Sequence, residues 1–296
     1  MLLAVPNFSE GRRREIIGAL AAALAGGEGV RLLDTHSDPD HDRSVFSLAG
    51  EAKALVDAVV AGALLACELI ELRAAGEAGV HPHIGVLDVA PLVYPQPSAR
   101  GLACAAALVL ADRLGEEAGL PAFLYGELAG GRSRAELRSG GATGLRERVA
   151  RAELAPDFGP PQIDSRRGAV LVGARPPLVA FNIELAAEVS LEQARALARS
   201  LREGGERGLP GVRALALRLP GRGLIQLSFN IEDPVGVPLL RVLEAVREQA
   251  QVARCELVGL APQGALSGFP LELLSPPFDA ARQVLESALA SARQAP

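Results

Sequence analysis

LDVAP (Leu87–Pro91) returns in altered form far downstream as LVGLAP (Leu257–Pro262), and each copy closes the same succession of short elements. From Leu2 the hydrophobic pattern reads strand, helix, strand, strand, helix, strand, and from Leu178 that order begins again. Such a unit is the ferredoxin-like split βαβ arrangement, in which helices cover one face of a sheet and leave the other open. The expectation is an α/β fold of the α+β kind: two similar ferredoxin-like βαββαβ subdomains, residues 1–174 and 175–296, with their sheets facing each other. A ligand would bind in the crevice between the two open faces.

Working outward from LDVAP, a strand is expected from Ile84 to Val93, preceded by a Gly-broken loop and a helix from Glu51 to Glu71. Upstream stand strands Leu2–Val5, Val30–Asp34 and Arg43–Ala49, the last two joined by THSDPDHD, whose Asp38-Pro39 supplies the turn. A helix from about Arg12 to Ala25 has Ser9 as its expected N-cap. Downstream come a helix Ala99–Gly119, a strand Pro121–Tyr125, an arginine-rich stretch Gly126–Gly144 read as a solvated loop, with anion capture by Arg132, Arg134, Arg138, Arg146 and Arg148 as its functional alternative, and a short helix Leu145–Leu154. The second half is expected to start with strands Ala169–Ala174 and Leu178–Glu184, followed by a helix Ser190–Glu203. A hairpin then joins Val212–Leu219 to Leu224–Ile231 around Pro220-Gly221-Arg222-Gly223. Helix Pro238–Ala250, strand Cys255–Leu260 and helix Phe278–Ser291 complete it.

The composition narrows the function. With 49% hydrophobic and 22% charged residues among 296, the chain can bury a substantial core, made of Ala, Leu and Val because aromatics are only 3%. A net charge of −5 with no run of Lys and Arg argues against nucleic acid, whose phosphates demand a basic footprint. MLLAVPNFSEG reaches a Pro and an acid too early for a secretory signal, and no apolar run approaches a membrane span, so a cytoplasmic protein is expected. Cys67, Cys104 and Cys255 are widely spaced in apolar surroundings and read as buried hydrophobes.

All four histidines, His36, His41, His81 and His83, lie in the first third. In HPHIG, Pro82 favours an extended His81, and residues two apart on a strand share a face, so His81 and His83 could point together into a cleft. Two chemistries fit. One is a metal site drawing further ligands from His36, Asp38, Asp40, His41 and Asp42. The other is metal-free acid–base catalysis by one imidazole, with Asp88 holding a polar network.

VPNFSEG (Val5–Gly11), SDPDHDRSVFSLAG (Ser37–Gly50), HPHIGVLDVAP (His81–Pro91), FLYGE (Phe123–Glu127), PDFGP (Pro156–Pro160), GAR followed by FNIEL (Gly173–Leu185) and CELVGLAP (Cys255–Pro262) together resemble the formiminotransferase family, nearly end to end and in order. The resemblance implies transfer of a formimino group between N-formimino-L-glutamate and tetrahydrofolate, with tetrahydrofolate as co-substrate, no metal, and a homodimer. It also implies that His81, the first histidine of the HP motif, is catalytic, and that the folate segment is Gly159, Pro160, Pro161, Gln162, Ile163, Asp164, Ser165, Arg166, Arg167 and Gly168. Substrate-binding candidates on the same basis are Asn7, Ser9, His36, Arg43, His83, Asp88, Arg175 and Asn182. Arg166, Arg167 and Arg175 suit the carboxylates by charge. His83 stands where the family usually carries Arg or Lys, and His36 where animal-type members carry an acid. With the sequence ending at Pro296, a formiminotransferase without the cyclodeaminase domain fused in animal members is expected. Handling of formyl groups such as 5-formyltetrahydrofolate, a metallohydrolase on the four histidines, and a non-catalytic folate-binding protein are the rival expectations.

Overall fold

A computed structural model describes residues 1–72 and 79–294. Most of the Gly-broken loop expected before His81 therefore lies outside the described residues. Two compact units emerge, Met1–Pro176 and Pro177–Pro296.

In the first unit the opening strand comes in two pieces, β1 (Leu2–Ala4) and β2 (Asn7–Phe8). Pro6 parts them because it has no N–H to donate to a ladder, though its carbonyl still accepts from Phe46 N–H at 3.1 Å. Helix α1 (Arg14–Ala25), strands β3 (Val30–Asp38) and β4 (Arg43–Gly50), helix α2 (Ala52–Leu69) and strand β5 (Leu87–Val93) follow. The antiparallel order β3-β4-β1/β2-β5 is the ferredoxin-like one. Helix α3 (Arg100–Ala118) ends at Gly119, whose φ of 64° is the left-handed conformation that closes helices. It leads to β6 (Ala122–Leu124), then α4 (Arg134–Leu137), α5 (Gly141–Ala150) and β7 (Val170–Arg175). Here the expectation needs correction: Ala169–Ala174 does not open the second half. As β7 it runs parallel to β5 on one side and β6 on the other, inside the first sheet.

The register lines up His36, Val45, Asn7, Val89, Leu171 and Phe123 as one row across β3, β4, β2, β5, β7 and β6. Paired residues share a face. One face packs Phe8, Phe46, Leu48 and Leu92 against the apolar sides of α1, α2 and α3. Val89, Phe123 and Leu171, on the row's face, pack with Leu137 of α4 and Leu145 of α5.

The arginine-rich stretch is not the solvated loop expected. Ser133 and Glu136 form a reciprocal capping box that starts α4. Arg132 bonds Leu124 O and Asp157, and Arg138 pairs with buried Asp88. The N-cap of α1 also differs. Ser9 Oγ donates to Gly85 O at 2.7 Å, and the free N–H groups of Arg12 and Arg13 go to Glu10 Oε1 at 2.8 Å each. Burial alone would raise the Glu10 pKa, but these donors and the Arg13 guanidinium outweigh it and hold the carboxyl below its ordinary value.

The second unit runs β8 (Val179–Leu185), α6 (Leu191–Leu201), β9 (Val212–Leu219), β10 (Leu224–Ile231), α7 (Leu239–Arg247) and β11 (Val252–Val258), in sheet order β11-β8-β10-β9. This is the ferredoxin-like order again. Val179, Phe181, Ile183 and Leu185 pack with α6 and α7, and alternation puts Asn182 and Glu184 on the opposite face. The final helix expected from Phe278 to Ser291 is two pieces, α8 (Ala280–Gln283) and α9 (Leu285–Gln294).

Candidate active site

His81 does not sit on a strand. Residues 80–86 form a loop, and regular pairing starts only at Leu87, so the H-x-H pair on a strand face is corrected. Three tethers shape the loop: Val80 N–H to Asp40 O at 3.0 Å, Ile84 N–H to Asp88 Oδ1 at 2.9 Å, and Val86 N–H to Arg167 O at 2.9 Å. Gly85 and Gly168 cross so closely that a Cβ on Gly85 would lie 1.9 Å from Ala169 O, and one on Gly168 2.1 Å from Ile84 O. The crossing fastens segment 159–168 to the loop that carries His81.

Arg43 reaches His81 from β4. Its Nε donates to Asn7 Oδ1 at 2.9 Å, Nη2 bonds the same oxygen, and Nη1 lies 2.8 Å from His81 Nε2 and 3.1 Å from Nδ1. The Asn7 amide is itself fixed, because its Nδ2 donates to Val5 O at 2.7 Å. His81 Nδ1 is 2.8 Å from Pro82 O, an acceptor only, a contact that favours the tautomer with its proton on Nδ1. Nε2 then offers its lone pair to the arginine. A doubly protonated ring would turn N–H groups toward a cation.

The electrostatics agree with this tautomer. Burial, then the charges of Arg43 and Arg138 and the neighbouring His41, hold the His81 pKa well below the usual histidine value. The His41 and His81 ring centroids are 5.9 Å apart. Arg43 is itself lowered to about 10, chiefly by burial, with Asp88 opposing and Arg138 and Arg134 assisting. The arrangement supplies a neutral imidazole at a pH where a free histidine would be partly charged.

The remaining candidates divide. Asn7 and Arg43 meet at His81. Half-buried His36 shares their sheet face but lies across β4 from Asn7, separated by Val45. Half-buried His83 has no hydrogen-bond or ion-pair partner among the described residues. Asp88, 2% exposed, is occupied by Ile84 N–H and Arg138, and Ser9 by Gly85 O. Arg175 ends β7 and donates to Pro176 O at 3.0 Å. Asn182 belongs to the second unit, where it donates to Glu256 Oε2 at 2.8 Å. In segment 159–168, Asp164 receives Arg166 N–H and Arg167 N–H, and Arg166 pairs with Glu71. Among the described residues no three His, Cys, Asp or Glu side chains are grouped as metal ligands. Arg138 was named only as one arginine of a stretch that could capture an anion, and its pairing with Asp88 is what sequence reasoning missed. Nothing in its spacing pointed to that partner.

Comparison with known proteins gives the class of the chain. Residues 1–175 match the N-terminal subdomain of the formiminotransferase domain. The chain is 34% identical over 272 residues to a glutamate formimidoyltransferase of Thermoplasma acidophilum, covering 88% of each. It is 33% identical to one of Streptococcus pyogenes, covering 96% of this chain and 97% of that one. It is 38% identical to the formimidoyltransferase-cyclodeaminase of Sus scrofa over 88% of this chain, and spans half of that relative's length. The protein is thus a transferase. The chain belongs to the formiminotransferase family.

Proposed function

We propose that the chain transfers a formimino group between N-formimino-L-glutamate and tetrahydrofolate, serving L-histidine degradation and one-carbon metabolism, with His81 as general acid and base. Residues 1–174 and 175–296 would be its N- and C-terminal formiminotransferase subdomains, acting in the cytoplasm as a homodimer. The observation that carries the reading is the contact of Arg43 Nη1 with His81 Nε2 at 2.8 Å, at a buried site that favours the neutral imidazole, in a chain whose relatives are named glutamate formimidoyltransferase.

The chemistry requires such a group. When the secondary amine at N5 of tetrahydrofolate adds to the formimino carbon, it must lose a proton, and the glutamate amine must gain one before it leaves. The Nε2 lone pair accepts the first and returns it to the second. Arg43 Nη1 yields Nε2 for that exchange, while Asn7 keeps the guanidinium anchored. Segment 159–168, fastened beside the His81 loop, would take the folate.

His81→Ala is expected to abolish transfer while leaving tetrahydrofolate affinity within about tenfold. The assay is the appearance of 5-formiminotetrahydrofolate from tetrahydrofolate and N-formimino-L-glutamate. Near-normal turnover by the variant would remove His81 from the mechanism. Binding of tetrahydrofolate by the wild type without any turnover would reduce the chain to a folate-binding protein.

A further inference from the structure

The arginines around α4 are not equally engaged. Arg132 is spent on Leu124 O and Asp157, Arg138 on Asp88, and Arg148 on Leu137 O at 2.6 Å and Ser139 O at 3.3 Å. Arg43 is held by Asn7 and His81. Arg134, half-buried, differs from all of these. Among the described residues its guanidinium has no hydrogen-bond or ion-pair partner, and it lies over the ring of Tyr125, 5.6 Å from the centroid.

Tyr125 carries a second unspent group. The residue is 6% exposed, and its buried hydroxyl has no hydrogen-bond partner. Its ring lies against Gly173 on β7, where a Cβ would come within 2.8 Å of Tyr125 Cζ, so that glycine is what lets the ring pack there. Buried hydroxyls are seldom left unpaired, because an unmade hydrogen bond costs more than a made one gains. A guanidinium without a partner over the ring of a tyrosine whose own hydroxyl is unpaired brings two unused donor groups to one place, where they suit an anion. The wider field has the same sign. The charges felt at Arg43 are Arg134 and Arg138 against Asp88 alone. With Arg43 itself, that makes three cations facing one carboxylate.

We propose that Arg134, lying over the Tyr125 ring and assisted by the Tyr125 hydroxyl, binds a substrate carboxylate near the Arg43–His81 pair. The inference rests on the formimino-transfer reading for the choice of ligand. Two carboxylate sources exist in that reaction, the amino acid and the glutamyl tail of the folate. The first would let the docking point set the reach of the formimino group toward His81, and the second would orient the acceptor amine.

Isothermal titration of the full chain with L-glutamate, tetrahydrofolate and tetrahydropteroate, which lacks the glutamyl tail, separates the two. Arg134→Gln is expected to weaken either L-glutamate or tetrahydrofolate by about 10–100-fold and to leave tetrahydropteroate within about twofold. Whichever carboxylate ligand falls is the source. Tyr125→Phe, which keeps the ring, is expected to weaken the same ligand by about threefold or more, and Arg134→Lys to restore part of the loss. Unchanged affinity for both carboxylate ligands in Arg134→Gln, or an equal loss on tetrahydropteroate, overturns the assignment, as does a wild type that binds neither. Formimino transfer is assayed in parallel. A wild type that binds through Arg134 but turns over no N-formimino-L-glutamate sinks the proposed function and leaves the carboxylate site standing.

Discussion

Burial first, and then the charge of Arg43, keep the His81 ring neutral. A fixed guanidinium at 2.8 Å disfavours the imidazolium, so the neutral ring persists as pH falls below the ordinary histidine value of about 6.5. Activity that depends on the neutral form should keep its acid limb, in kcat/KM, below that value. Arg43→Gln removes one of the charges, and the acid limb is expected to rise, burial still holding it below the ordinary value. The variant's deficit should thus widen as the assay pH is lowered from about 8 to about 6. A limb that stays in place in the variant would mean that Arg43 does not set the state of His81. At this scale the sequence was informative about residue types and silent about partners. His81 stood out as one of only four histidines, and Asn7 and Arg43 were named through the family resemblance. Their meeting depends on β2 and β4 being neighbours, which no local pattern encodes. Ser9 shows the converse. Its position suited a helix cap, but Glu10 has a longer reach and took both backbone donors, leaving the Ser9 hydroxyl to tie β2 to Gly85.

Among the elements, the loop before β5 was read as strand because HPHIG combines a proline with apolar residues. What prevents a strand there is tertiary: Ile84 N–H is drawn to the Asp88 side chain, and Gly85 presses on Gly168. The glycine pair therefore fixes where both the His81 loop and segment 159–168 run. Gly168 has φ of +73° and no room for a methyl group, whereas Gly119 has φ of +64° and open space around it. Gly119→Ala should show only the conformational penalty, about 1 kcal/mol. Gly168→Ala adds a clash with backbone and is expected to cost about 2–4 kcal/mol, with tetrahydrofolate affinity falling in the same variant. Chemical denaturation measures both, and equal small losses would show that the crossing bears no strain. Helix α4 escaped the sequence reading because four residues give no period to detect, although Ser133 and Glu136 spelled its cap.

For the whole molecule, the duplicated order of strands and helices was legible because it rests on alternation, helical spacing and the turn at Pro220–Gly223. The place of β7 was not. A strand covered on both faces reads as an unbroken apolar run, which says that it is buried without saying beside which partner. The hairpin β9–β10 closes through four residues, Pro220 to Gly223, whereas β5 must find β7, Val89 opposite Leu171, across everything between them. Loop closure over such a span slows folding, while local pairing is fast. The order of maturation should then run against the order of synthesis, the C-terminal unit acquiring its protected amides first and the N-terminal unit completing last. Pulsed hydrogen exchange during refolding tests this, with β9–β10 amides protected before those of β5 and β7; simultaneous protection would tie the two units into one folding event. On that order, the bridge that sets segment 159–168 beside the His81 loop would be among the last contacts a newly made chain forms.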